Sequence, residues 1–104
     1  MIKLKSSVRV PRVVIILAAV ANAAQELRLN VYVTSGNDTK HMLGSKHYKD
    51  EALDFRTKNI INDRMKEVWR DKIKERLGED YDVILEGLGT PNEHLHVECN
   101  FKER

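Results

Sequence analysis

The chain has 104 residues, 41% of them hydrophobic and 33% charged, a composition expected to form one domain, residues 1–104, around a single core. Its formal charge of +2 comes from 18 Lys and Arg interspersed with 16 Asp and Glu, without a basic block or an aromatic stacking surface, which argues against nucleic-acid binding. The single cysteine, Cys99, excludes an internal disulfide and a cysteine-built zinc knuckle, so any metal has to be held by His and carboxylate.

Near the N-terminus, Lys3, Lys5, Arg9 and Arg12 precede an apolar run from Val13 to Ala21 that closes on Ala21, Asn22 and Ala23. This pattern fits either a secretory signal or a buried helix. The run is too short to span a bilayer, and its periodicity continues through Ala24, Leu27 and Leu29, so a helix entered at Pro11 is the expectation. No membrane association is expected, and secretion remains the alternative to cytoplasmic synthesis.

NVYVTS, from Asn30 to Ser35, is rich in β-branched and aromatic residues and reads as a strand. A long polar loop follows, SGNDTKHMLGSKHYKDE. Ala52 to Arg56 reads as a second strand, with Leu53 and Phe55 on one face and Ala52, Asp54 and Arg56 on the other. From Lys58 to Leu77 the positions Ile61, Met65, Val68, Trp69, Ile73 and Leu77 recur at helical spacing, and Gly78 is placed to end the helix. Tyr81 to Glu86 and His94 to Asn100 then read as two strands joined by GLGTPNE. This order predicts an α+β fold: a small, mainly antiparallel sheet with helices packed on one face.

Chemistry concentrates in the last strand and the polar loop. Alternation in HLHVECNF sets Leu95, Val97, Cys99 and Phe101 on a core face and His94, His96 and Glu98 on the other. Asp54, beside inward-facing Leu53 and Phe55, needs a partner, for which Arg56 and a metal ion are the two candidates.

Ser45, His47, Ala52 and Asp54 match the pattern S-x-H-x-x-G-x-A-x-D, and Glu93 and His96 match E-x-x-H. With VTSG at 33 to 36 and His41 six residues before His47, the chain resembles the zinc D-Ala-D-Ala carboxypeptidases and the phage L-alanyl-D-glutamate endolysins, which share their fold with the Hedgehog domain. The resemblance implies one zinc ion held by His47, Asp54 and His96, and hydrolysis of a peptide bond in peptidoglycan stem peptides, as in a phage lysis enzyme acting on the cell wall. It implies Glu93 as the general base, with Glu86, which ends the preceding strand, as its rival. His94, on the strand face of His96, is placed to donate to the oxyanion, with simple exposure to solvent as the alternative, and Ser45 and His41 are placed either at the substrate or in holding the loop. Glu98 is placed to orient an imidazole. A non-catalytic zinc domain that binds a ligand or partner is the alternative. The chain departs from the pattern at Asp50, where the family has Gly, and at Asn37 and Asp38, where many members carry an Arg that binds a substrate carboxylate.

Overall fold

A computed structural model describes residues 11–36 and 52–100. The elements are α1 (Arg12–Leu27), β1 (Val33–Gly36), β2 (Ala52–Phe55), α2 (Asp63–Leu77), β3 (Tyr81–Glu86) and β4 (His94–Cys99). The four strands form one sheet in the order β1-β2-β4-β3, with every neighbouring pair antiparallel. The α+β fold expected from the sequence is therefore the one observed. His41, Ser45, His47 and Asp50 lie outside the described residues.

Both helices cover one face of the sheet. The inward residues Leu53, Phe55, Val83, Leu95 and Val97 meet Ile16, Val20, Ala23 and Ala24 of α1 and Trp69 and Ile73 of α2 in one apolar cluster. Phe55 and Trp69 are wholly buried and pack edge to face, ring centroids 6.3 Å apart. The indole Nε1 of Trp69 donates to the Val20 carbonyl at 3.3 Å, so burying the ring leaves no polar atom unpaired. The apolar run at Val13 to Ala21 thus belongs to a core helix, and no helix among the described residues is long and apolar enough to cross a membrane. Cys99 is buried on the core side of β4.

Two element starts differ by several residues from the sequence expectation, while the strand ends differ by at most one. The first strand pairs from Val33 rather than Asn30, with a register irregularity between Val33 and Ser35. α2 begins at Asp63 rather than Lys58, because the Asn62 side chain accepts from the amides of Arg64 and Met65 and caps the helix there. The preceding residues form a turn closed by the Ile60 amide on the Thr57 carbonyl. That turn buries Ile60 and leaves Ile61, read from its spacing as a core position, 99% exposed. Ile60→Ala is accordingly expected to cost about 2–5 kcal/mol, by lost burial and the cavity left behind. Ile61→Ser should change stability by less than about 0.5 kcal/mol. Urea unfolding of the two variants checks the assignment; comparable losses would contradict it.

Candidate metal centre

The helix-free face of the sheet carries the polar residues in cross-strand rows. The β2–β4 register sets Asp54 opposite His96 and Ala52 opposite Glu98. The β3–β4 register sets Glu86 opposite His94, Ile84 opposite His96 and Asp82 opposite Glu98. Side chains alternate strictly along β4, with Leu95, Val97 and Cys99 buried and His94, His96 and Glu98 half-buried. Packing of the apolar face therefore dictates which side chains meet on the other.

Asp54 and His96 meet directly: Nδ1 of His96 donates to Oδ1 of Asp54 at 2.6 Å. Nε2 of the same ring donates to Oε1 of Glu98 at 3.1 Å. An imidazole flanked by two carboxylates holds its proton, and although burial pulls the His96 pKa down, Asp54 and then Glu98 together raise it above the usual 6.5. Asp54 thus has an imidazole partner, and Glu98 sits where it orients that imidazole.

His94 completes the group. Its Nδ1 lies 2.7 Å from the Asn92 carbonyl, which can only accept, so Nδ1 donates there and Nε2 is the nitrogen left available to a metal ion. Nε2 lies 3.9 Å from Oε1 of Glu86. Ligand atoms of Asp54, His94 and His96 all fall within 4.8 Å of one another, so these three residues can hold a metal ion. Two imidazoles and a carboxylate suit a transition-metal dication and leave a further coordination position open. The Glu98 contact supplies the carboxylate–imidazole support that metal-bound histidines generally receive. The geometry brings together Asp54 and His96 as the sequence pattern implies, and adds His94, which its strand face alone had suggested as an oxyanion donor.

Glu93 is placed differently from the other candidates. It lies at the end of the β3–β4 loop and is turned into the protein, its side chain only 4% exposed. Lys66 of α2, equally buried, reaches Oε2 at 2.8 Å and Oε1 at 3.1 Å. The Thr57 hydroxyl also donates to Oε2, and the Gly89 amide donates to Oε1 at 3.0 Å. Burial alone would push the Glu93 carboxyl up, but Lys66, Thr57 and the Gly89 amide outweigh it and hold the carboxyl at about 2. Lys66, held also by Asp63 at 3.0 Å, keeps its proton more firmly than usual despite its own burial. Neither partner was foreseeable from sequence: Lys66 falls in a helix otherwise read for its apolar stripe, and Thr57 carries no motif.

The chain matches no family model, no curated protein and no solved structure.

Two expectations follow from this geometry. Because the Glu93 pKa is lowered on folding, its contribution to stability is present above about 4.5 and is lost as pH falls toward about 2. Lys66→Met leaves the carboxylate buried without a counter-ion and should cost about 3–5 kcal/mol at neutral pH, read as the urea midpoint across that pH range. At the metal centre, Asp54→Asn and His96→Ala should abolish tight divalent-metal binding measured by competition with a chelator. Glu98→Gln should weaken it about 10–100-fold. Because metal and proton compete for His96, wild-type affinity should rise with pH through the raised pKa of that group. Comparison of His47→Ala with His94→Ala identifies the third ligand.

Proposed function

We propose that the chain is a zinc-dependent peptidase domain that hydrolyses a peptide bond in bacterial peptidoglycan stem peptides. The observation that carries this reading is the cluster of Asp54, His96 and His94 on the open face of the sheet, with their ligand atoms within 4.8 Å. Support comes also from the motif residues Ser45, His47, Ala52, Asp54, Glu93 and His96, which resemble those of the zinc cell-wall peptidases.

Asp54 and His96 belong to the ligand set under both readings of the centre, with His47 or His94 beside them. When bound, zinc supplies Lewis acidity that polarises a carbonyl and lowers the pKa of water toward about 7. Glu98 holds the His96 ring in register, leaving its other nitrogen directed at Asp54. If His47 is the third ligand, His94 is available through Nε2 to hydrogen-bond the substrate.

For the general base, the sequence resemblance points first to Glu93, but the surroundings of the two glutamates favour Glu86. A base has to reach the site with a carboxylate that is not already committed to fixed donors. Glu93 is held at about 2 by Lys66, Thr57 and Gly89 and has its side chain only 4% exposed. Glu86 is exposed, shares the open face, and has its carboxylate 3.9 Å from Nε2 of His94. It is placed to take a proton from an attacking water and to return it to the leaving amine. The same burial of Glu93 favours a second reading, a non-catalytic zinc domain that binds a ligand or partner.

Glu86→Gln and Glu93→Gln, each assayed for zinc content and for cleavage of stem peptides, separate these readings. Glu86→Gln should retain zinc and lose cleavage by about two orders of magnitude or more, whereas Glu93→Gln should chiefly lower stability. Equal cleavage by wild type and Glu86→Gln would rule out Glu86 as the base. No cleavage of any stem peptide by the zinc-loaded wild type would favour the binding domain.

A further inference from the structure

Beside the metal-ligand cluster, the β2 end of the open face opens into a cleft of roughly 610 Å³, lined by Thr34, Arg56, Lys58, Asn92, Glu93 and His94. Its charge is positive. Arg56 and Lys58 contribute two cations, while the one carboxylate in the lining, Glu93, is already neutralised by Lys66. Lys58 is tied to the Pro91 carbonyl, which keeps its ammonium at the rim. Arg56 is exposed and continues the outward alternation of Ala52 and Asp54, and among the described residues no carboxylate pairs with it. The opposite end of the same face is acidic, carrying Glu98 and Asp82 in one cross-strand row. The metal-ligand cluster thus lies between a basic end and an acidic one.

We infer that this cleft binds a carboxylate of the peptide substrate, with Arg56 as the anchor that sets the direction in which the peptide lies across the sheet. The inference rests on the peptidase reading for the identity of the peptide. The spacing suits it: Arg56 follows Asp54 by two residues, roughly 7 Å along the strand. An extended peptide advances about 3.3 Å per residue, so a carboxylate one or two residues from the scissile bond reaches the guanidinium. The guanidinium offers a planar fork of donors matched to a carboxylate, the Asn92 amide and Thr34 hydroxyl can fill its remaining acceptor sites, and Lys58 adds charge without needing direct contact. The anchoring charge comes from the end of β2, where Arg56 and Lys58 follow Asp54. Two stem-peptide groups share this chemistry: the α-carboxylate of a γ-linked D-glutamate and the free C-terminal carboxylate of D-alanine.

The test uses the zinc-loaded full chain and its Arg56→Gln and Arg56→Lys variants. Substrates are a stem peptide with both carboxylates free, one with only the glutamate α-carboxylate amidated, and one with only the C-terminus amidated. Arg56→Gln should raise KM for the free acid about 10- to 100-fold with kcat changed far less and zinc content unchanged. Amidating the anchored carboxylate should remove the difference between wild type and variant, and whichever amide does so names the group. Arg56→Lys should recover part of the loss. If Arg56→Gln leaves KM for the free acid unchanged, or changes acid and both amides alike, the inference is overturned. If wild type cleaves none of the peptides, the peptidase reading fails on its own, and calorimetric binding of the same three peptides then decides the cleft. Weaker binding of the free acid by Arg56→Gln, absent for one amide, supports a carboxylate site; binding that ignores both Arg56 and amidation overturns it.

Discussion

Everything on the open face depends on the antiparallel pairing of β2 with β4. Leu53 and Phe55 on one strand and Leu95 and Val97 on the other are buried together under the two helices. A slip of one residue would turn these side chains to solvent and Asp54 and His96 into the apolar core, which the hydrophobic term forbids. The register that satisfies the core is therefore also the register that sets a carboxylate against an imidazole at 2.6 Å. No separate device is needed to build the pair, and the open face inherits its rigidity from the packed one.

The buried Lys66–Glu93 pair serves a different purpose. Such pairs add little net stability after desolvation, but once formed neither partner can be removed cheaply. Here the pair joins the first turn of α2 to the end of the β3–β4 loop, with Thr57 binding in the segment after β2. Gly87 and Gly89, both at positive φ, let the loop turn so that the Gly89 amide reaches the same carboxylate. Glu93 thus closes the loop from which His94 leaves, fixing the start of β4. A carboxylate so engaged is poorly suited to moving protons, which is why the proposed catalytic work falls to Glu86.

Strand alternation carried most of the legible information. HLHVEC sorted His94, His96 and Glu98 from the core residues without any knowledge of the partner strands, and ALDF sorted Asp54 from Leu53 and Phe55 in the same way. Cross-strand register was not legible, because it depends on how far the loops let each strand travel. Nor was the start of α2: Ile61 fits a helical stripe by spacing, but the Asn62 cap, a local hydrogen-bonding choice, ends the turn before it. Glu93 illustrates the limit of motif reading. Three residues before His96 it satisfies a metallopeptidase pattern, while the charge that claims it, Lys66, is distant in sequence and close only after folding.

The central claim is that one metal ion sits on the open face against Asp54 and His96. X-ray absorption at the zinc edge of the loaded full chain tests it most directly, alongside the Asp54→Asn and His96→Ala variants. One equivalent of zinc in a shell of nitrogen and oxygen, with imidazole scattering and no sulfur, is expected for wild type, and that signal should be lost or rearranged in both variants. Failure of the wild type to retain zinc, or an identical shell in all three proteins, would contradict a metal centre at this pair.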